Sequence, residues 1–223
     1  MTYFEFLTEL RSYAEEKLAD FHTPLLNSKT QKILGVRMPV LRKIAKSKVG
    51  EVEELFSYPD EYHEVTLLKL LAVSYLPYDK FLPYADRAVA LISNWAQCDC
   101  FKANCIKKHR KEFLPKITAY FNTGEEFFQR YALVTLLYDY IDENYFDTIM
   151  DFLSRADTKK YYVYMAAAWL VAELLTKEFN FGVRVLRSGV LDVKTHNKAI
   201  QKARESYRIS KERKEFLSSL KIN

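Results

Sequence analysis

The feature that most constrains the fold is a regular spacing of helical segments. Helix pairs are predicted to begin near Glu61, Asn94, Gly124, Lys159 and Asp192, at spacings of 33, 30, 35 and 33 residues. One helix pair cannot bury its apolar face alone and must stack on the next, so a fixed period of this length is typical of repeat proteins. The spacing predicts an all-α chain folded as a curved α-solenoid of antiparallel helix pairs.

Turn-forming residues are scarce, which supports few, long helices. The 223 residues include only five glycines and six prolines, too few for the many turns of a β-sandwich or barrel. Because 49% of the residues are hydrophobic, one continuous core can form. We therefore expect a single domain over residues 1–223.

The N-terminal region precedes the regular spacing. Thr2 and Glu5 form a capping-box pattern, and apolar residues at helical spacing predict one amphipathic helix that extends to Phe21. A loop is expected from His22 to Val36. Pro39 then stands where a first helical residue belongs, so a short basic helix is expected to start there.

Positive charge is concentrated in two segments, although the net charge is only +5. From Lys194 to Lys214 eight Lys and Arg residues face only Glu205 and Glu212. The second cluster holds Lys102, Lys107, Lys108, Arg110, Lys111 and Lys116, against Glu112 alone. Each cluster fits a surface for an acidic partner such as nucleic acid, and equally a solvated helix face.

Several classes of protein are not expected. Three cysteines cannot all pair within the chain, and no secretory signal pattern opens the sequence, so a cytoplasmic protein is predicted. Charged residues interrupt every apolar stretch before it reaches the length of a membrane span. The four histidines are scattered and form no ligand spacing with the cysteines, so we expect neither a metal nor a small-molecule cofactor.

Trp95 and Asp99 form a candidate site because they lie four residues apart on a helix that Asn94 can cap. The indole and the carboxylate then project from one face. A carboxylate among small and apolar residues is costly unless it faces water or a cation. The alternative interpretation is structural, with Trp95 in the core and Asp99 paired with Lys102 or Lys107.

Arg130 is a candidate phosphate ligand. It lies near the start of a predicted helix, where a guanidinium can reach out and bind a phosphate bidentately. The alternative is a surface salt bridge with Glu125 or Glu126.

Tyr161, Met165 and Trp169 recur at i, i+4 and i+8 and make a stripe on one helix face. Such stripes belong to the core in most proteins. Here the stripe begins in an aromatic-rich segment whose polar tips suit a partly wet surface. Both interpretations stay open.

Five segments, in this order and separation, resemble the DNA alkylation repair family of HEAT-like-repeat glycosylases, often called the AlkD family. They are Leu34–Ala45, Asn94–Asp99, Phe128–Ala132, Tyr161–Trp169 and His196–Arg208. The similarity covers nearly the whole chain and implies a solenoid of HEAT-like helix pairs. It also implies a monomer that acts on double-stranded DNA with alkylated bases.

The resemblance implies a role for each candidate residue. Asp99, Trp95 and Trp169 match the catalytic positions, and Arg130 matches a phosphate-binding position. Lys198, Lys202 and Arg204, in the C-terminal basic segment, are also expected to bind DNA phosphates. The implied reaction hydrolyses the N-glycosidic bond of N3-methyladenine or N7-methylguanine in a shallow basic groove, without deep base flipping.

Three functional hypotheses follow. The first is a monofunctional DNA glycosylase. The second is a non-catalytic solenoid that binds DNA or RNA through its positive charge, and the third is a protein-binding scaffold. An exposed patch that unites the tryptophans with Asp99 and Arg130 would favour the first, whereas burial of both tryptophans would favour a core role.

Overall fold

The computed structural model describes residues 1–26 and 31–223, and regular structure in these two ranges is helical. Its α-helices are α1 (Tyr3–Arg11), α2 (Glu16–Leu26), α3 (Met38–Ser47), α4 (Val52–Ser57), α5 (His63–Ser74), α6 (Tyr78–Ala90), α7 (Trp95–Cys100), α8 (Arg110–Asn122), α9 (Glu126–Asp139), α10 (Phe146–Arg155), α11 (Tyr161–Lys177), α12 (Phe179–Arg187), α13 (Val193–Glu205) and α14 (Lys211–Ser219). Three short 3-10 turns span Val49–Glu51, Ile106–Lys108 and Glu143–Tyr145. Extended pairing in the described residues is limited to an isolated bridge between Lys32 and Tyr62. The all-α prediction is confirmed.

The predicted period of helix pairs is also confirmed. Helices α5, α7, α9, α11 and α13 each begin within two residues of the position expected from the sequence, at spacings of 31 to 35 residues. Side-chain caps fix two of these starts. Asn94 Oδ1 accepts a hydrogen bond from Gln97 N, and Asp192 Oδ1 accepts one from Thr195 N, both at 3.0 Å. Such caps satisfy backbone donors that have no partner within the helix.

Close contacts divide the chain into two compact units, unit 1 (Met1–His109) and unit 2 (Arg110–Asn223). Each unit is described by itself. One domain over residues 1–223 and a curved superhelix both stay predictions.

Helix α5 is the centre of unit 1. All twelve of its residues are buried, and it packs against α3, α4, α6 and α7. A helix that is covered on every side needs no amphipathic pattern, since each face meets another element. Consequently the polar residues of α5, among them His63, Glu64 and Lys69, lie inside the protein and need hydrogen-bond partners there.

Unit 2 is a regular stack. Helix α11 packs against α9 and α13, while α8 covers α9, α12 contacts α11 and α14 contacts α13. Successive packing of every second helix is the arrangement expected of a solenoid of helix pairs. Helix α11 is 17 residues long. In the described ranges, no helix combines the length and the apolar character that crossing a membrane requires.

The N-terminal helix differs from the prediction. The capping box at Thr2 and Glu5 is present, but α1 ends at Arg11 and α2 begins only at Glu16. The residue that marks the break is distant in sequence. Gly35 has a φ of +79°, and a Cβ there would lie 2.3 Å from Glu15 O and 2.6 Å from Ala19 N. The Gly35 backbone thus lies directly on the start of α2, where only glycine fits.

The loop expected from His22 to Val36 is shorter than predicted. Helix α2 continues through Pro24 to Leu26, whereas residues 31–36 have no regular structure and residues 27–30 lie outside the described ranges. Pro39 is in the first turn of α3, as expected, because a proline there removes no intrahelical hydrogen bond.

Candidate functional site

Trp95 and Asp99 lie on α7, a helix of six residues in unit 1. Their spacing of four residues brings both side chains to one face of the helix. Both line the same cavity, which has a volume of about 320 Å³. The cavity is bounded by α2, α3, α5 and α7, and most of its lining is apolar. A cavity of this size was not expected, because the family resemblance implied a shallow groove.

Trp95 lies at the edge of the cavity. Its residue is 38% exposed, and its Nε1 donates a hydrogen bond to Leu25 O at 3.0 Å. Asp99 and the second tryptophan, Trp169, are both of intermediate exposure. Neither indole is therefore enclosed in the core. A core role for the two tryptophans requires that both be buried, and that condition is not met.

Glu64 fixes the segment that leads into α3. Its residue is only 2% exposed, and its carboxylate accepts hydrogen bonds from the backbone N–H groups of Leu34 at 3.0 Å, Gly35 at 2.8 Å and Val36 at 3.4 Å. Successive N–H groups form a concave site for an anion, which offsets the cost of burying the charge. This arrangement holds Val36, a lining residue, against the cavity.

His63 joins α5 to α7. Its Nδ1 lies 3.2 Å from both Asn94 Nδ2 and Gln97 Nε2. Amide NH₂ groups only donate, so Nδ1 accepts, and the neutral ring carries its proton on Nε2. Burial, with a smaller contribution from the charge of His22, lowers the pKa of His63 to about 4. The imidazole is therefore neutral at physiological pH.

The hydrogen bonds at His63 belong to a longer polar chain inside unit 1. Gln97 Nε2 also donates to Gln31 Oε1 at 2.7 Å, and Gln31 Nε2 donates to Thr66 Oγ1 at 2.7 Å. Thr66 and the buried Lys69 both donate to Asp60 Oδ1, at 2.6 and 2.9 Å. A connected network of this kind opposes movement of α7, because His63 and Gln31 would each lose a hydrogen-bond partner.

Cys100 lines the cavity beside Asp99. Burial and the negative charge of Asp99 raise the pKa of its thiol, while the positive charge of Arg42 acts in the opposite direction. A neutral thiol is a poor nucleophile. In the described ranges no cysteine forms a disulfide, and no group of three or more His, Cys, Asp or Glu side chains could hold a metal ion.

Trp169 and Lys202 come together in unit 2, where they line a depression of about 170 Å³ between α11 and α13. Trp169 is held edge-on by Tyr138, with ring centroids 5.9 Å apart. Glu173 forms one wall and pairs with Arg208 at 2.7 Å and Lys177 at 3.2 Å. The depression is therefore polar, with an indole on one side.

The aromatic stripe on α11 is partly exposed to solvent. Tyr161 is 58% exposed, and Met165 and Trp169 are of intermediate exposure, whereas nearly all other positions from Val163 to Leu175 are buried. The partly wet interpretation of the stripe is confirmed, and the core interpretation is wrong.

The position of Arg130 differs from the outward-reaching side chain expected from the sequence. Arg130 is only 5% exposed, and its Nη1 donates to Tyr162 O at 3.0 Å. Glu126 accepts from Tyr162 N at 2.8 Å, so two α9 side chains hold the first turn of α11. The first turn of the neighbouring helix presents an N–H group without an intrahelical partner at Tyr162, which the sequence does not reveal. Phosphate binding by Arg130 stays a prediction, and this conformation leaves little of the side chain for it.

The three basic residues predicted on α13 do not share one face. Lys202 lines the Trp169 depression, and Lys198 lies one turn before it on the same edge, whereas Arg204 is about 200° around the helix from Lys202. Only the Lys198 and Lys202 edge continues the surface around Trp169.

A comparison with protein families identifies the chain. Its sequence matches the family described as DNA alkylation repair enzyme over residues 6–177, more than half of its length. The chain belongs to the DNA alkylation repair enzyme family. The match includes Trp95, Asp99, Arg130 and Trp169, while the basic residues of α13 lie beyond it. A comparison with curated proteins gives no match.

Sequence reasoning missed the buried polar residues that position α7, which carries Trp95 and Asp99. The scattered spacing of the histidines argues against a metal-binding site, but it does not indicate the hydrogen-bonding role of His63. A signal was present, because His63 and Glu64 open a predominantly apolar helix, where buried polar residues require partners. Gln97 gave no comparable signal.

Proposed function

We propose that the protein is a monofunctional DNA glycosylase that excises cationic alkylated bases, N3-methyladenine and N7-methylguanine, from double-stranded DNA. The observation that carries the proposal is the placement of Trp95 and Asp99 on one cavity wall, in a chain whose family match includes both residues. A partly exposed indole beside a carboxylate suits a reaction that develops positive charge.

The reaction is hydrolysis of the bond between C1′ of the deoxyribose and the base nitrogen. The bonding electrons leave with the base, which loses its positive charge, and positive charge develops on the sugar. Water adds to C1′ and releases a proton, leaving an abasic site. Asp99 stabilises the charge on the sugar and orients the water, while the face of Trp95 lies against the sugar.

Binding to the duplex is assigned to the basic edge of α13. Lys202 lines the depression that contains Trp169 and Lys198 lies one turn before it on α13, and lysines in such a place bind phosphates as point charges. The proposal keeps the binding mode implied by the family resemblance, a basic groove that reads the lesion without deep base flipping. The proposed contact of Trp169 with the deoxyribose is also taken from the family resemblance.

The test is Asp99→Asn, which keeps the shape of the side chain and removes its charge. Release of N7-methylguanine from methylated duplex DNA in a single turnover should fall by at least about 100-fold, with duplex binding retained. The matched control is Asp79→Asn, the same change at an exposed carboxylate on α6 outside the cavity. It should leave base release unchanged.

Thermal melting of the same samples separates catalysis from folding. If Asp99 is structural, activity will decline only with the folded fraction, and the melting temperature will fall. If the unaltered protein binds methylated duplex but releases no base, the glycosylase proposal is wrong and a non-catalytic nucleic-acid binder takes its place. Absence of any affinity for nucleic acid would instead favour a protein-binding scaffold.

A further inference from the structure

A further charged surface of unit 2 lies on α12 and α14, beyond the family match, which ends at residue 177. These two helices hold five basic residues against two acidic ones, Glu212 and Glu215, which gives a net charge of +3. Helix α12 supplies two arginines and no carboxylate. The family match therefore assigns no role to this surface, and its charge favours an anionic ligand.

Arginines and phenylalanines of the two helices interlock. The guanidinium of Arg213, on α14, lies over the ring of Phe179, on α12, with 4.3 Å between Cζ and the ring centroid. In return, Arg187 of α12 lies over Phe216 of α14 at 5.7 Å. The two rings are tilted against each other, with centroids 6.2 Å apart. Each helix therefore covers an aromatic ring of the other with a cation.

Arg184 extends the row of arginines along α12. It lies three residues before Arg187, and its Cζ is 5.1 Å from the centroid of the Phe181 ring. All three arginines are exposed, Phe216 is 37% exposed and Phe179 is of intermediate exposure. The arginine–phenylalanine surface is defined by Arg184, Arg187, Arg213, Phe179 and Phe216.

The three arginines of this surface have no carboxylate partner among the residues that the structure describes. Other basic side chains of unit 2 do have one, since Arg208 and Lys177 pair with Glu173 and Arg155 pairs with Asp151. A guanidinium that lies over a ring keeps its N–H donors around its edge. These donors bind carboxylates bidentately, so the surface can bind several carboxylates at once.

The arginine–phenylalanine surface and the Trp169 depression lie on different sides of unit 2. Helix α12 packs on α11 so closely that a Cβ on Gly182 would lie 2.8 Å from Leu175 N. Leu175 is about 120° around α11 from Trp169. Helix α14 is held to α13 by His196, whose Nε2 donates a hydrogen bond at 2.8 Å to the carbonyl of the first residue after α14. His196 is also about 120° around its helix from Lys202.

The apolar part of the surface favours protein over nucleic acid as the ligand. Each ring carries a guanidinium and contacts the other ring, which leaves little open ring face for a stacked base. A duplex backbone would bind the arginines but leave the exposed apolar area of Phe216 uncovered. A protein segment that combines carboxylates with apolar side chains matches both parts of the surface.

We propose that the arginine–phenylalanine surface binds an acidic segment of a partner protein. Carboxylates of the segment bind the three arginines, and its apolar side chains cover Phe179 and Phe216. The proposal does not rest on the glycosylase activity, because no residue of this surface takes part in the reaction proposed above. Such an interaction brings a second protein to the chain without occupying the Trp169 depression.

Selection from a random peptide library on the full-length protein tests the composition of the segment. The selection is repeated on a double variant, Arg187→Gln with Arg213→Gln, and peptides recovered only with the unaltered protein are sequenced. They should be enriched in both acidic and large apolar residues relative to the starting library. Recovery of peptides without acidic enrichment, or of no specific peptide, would overturn the proposal.

Fluorescence anisotropy with the most enriched peptide measures each contribution to binding. The double variant should bind the peptide at least about tenfold more weakly, and Phe216→Ser about threefold more weakly. Changing the carboxylates of the peptide to amides should also cost at least about tenfold in affinity. Arg204→Gln, the matched change at an exposed arginine of α13 outside the surface, should have no effect. An equal loss with Arg204→Gln would indicate unspecific charge attraction and refute the site.

A second double variant, Arg187→Lys with Arg213→Lys, keeps the charge and removes the planar fork of donors. It should bind the peptide more tightly than the glutamine double variant and more weakly than the unaltered protein. Thermal melting shows which variants are folded. Undiminished binding by the folded glutamine or lysine variant would place the peptide elsewhere and contradict the proposal.

Competition and sedimentation distinguish two other occupants. If single-stranded or duplex DNA displaces the peptide from a protein in which Lys198 and Lys202 are replaced with glutamine, the surface binds nucleic acid and the proposal is wrong. Retention of the peptide supports a protein partner. Sedimentation velocity tests for a second copy of this chain, since a dimer that the glutamine double variant abolishes would make that copy the occupant and refute the acidic partner.

Discussion

The two compact units hold their candidate residues in different ways. In unit 1, the short helix α7 is positioned by hydrogen bonds between buried polar side chains, with His63 accepting from both Asn94 and Gln97. In unit 2, the long helix α11 is positioned by apolar packing between α9 and α13, and Trp169 lies on its least buried edge. A six-residue helix has too little apolar surface to fix itself, so directional hydrogen bonds orient Trp95 and Asp99.

Two buried glutamates show the same difference. Glu64 in unit 1 is 2% exposed and is bound by backbone N–H groups, whereas Glu173 in unit 2 is 9% exposed and is bound by Arg208 and Lys177. The partners of Glu64 cannot move without unfolding the segment. The partners of Glu173 are mobile side chains, more than a third exposed, that water can solvate. We therefore expect unit 1 to be more sensitive to loss of a single polar group.

The largest expected effect on stability is that of Glu64→Gln. The amide keeps one acceptor oxygen but brings an NH₂ group towards backbone donors, which should cost about 3 kcal/mol of unfolding free energy. Glu173→Gln, the matched change in unit 2, should cost about 1 kcal/mol because its partners are largely solvated. Urea denaturation of both variants measures the difference. Equal losses would contradict the contrast between the units.

A smaller effect is the pH dependence contributed by His63. Its pKa is about 4 in the folded protein, below the ordinary value of 6.5. The unfolded chain therefore binds the proton first as the pH falls, so this contribution to stability is complete above pH 6.5 and is lost towards pH 4. Between pH 7 and pH 5 the loss should be about 2 kcal/mol.

The control for this prediction is His63→Asn, which can place an acceptor oxygen near the position of Nδ1 and does not titrate. Denaturation at pH 7, 6 and 5 should give a flatter profile for the variant than for the unaltered protein. Parallel profiles would show that His63 is not the group responsible.

The smallest expected effect concerns DNA binding by unit 2. Replacing Lys198 and Lys202 with glutamine should reduce the slope of log affinity against log salt concentration by about 2, since each phosphate contact contributes about 0.9. Arg204→Gln should change the slope little, because Arg204 lies on the other edge of α13. A larger change with Arg204→Gln would place the duplex on that edge. No change with all three replacements would make the segment a solvated face.

Much of the fold could be predicted because its signals are local. The starts of α5, α7, α9, α11 and α13 follow from helical periodicity and from caps such as Asn94 and Asp192, which act within a few residues. The break between α1 and α2 could not be predicted, because it coincides with the approach of Gly35, twenty residues after Glu15. The local sequence pattern around residues 12–15 does not indicate a contact with a residue this far along the chain.

The same distinction between local and long-range signals applies to the candidate site. The sequence by itself determined that Trp95 and Asp99 share a helix face, since helix geometry fixes the positions of residues four apart. Only the tertiary structure decided that this face borders a cavity, that Arg130 lies beneath Tyr162, and that His63 stays neutral. Burial and partner choice depend on which segments pack together, and residues distant in sequence set the solvation and the charge that each side chain experiences.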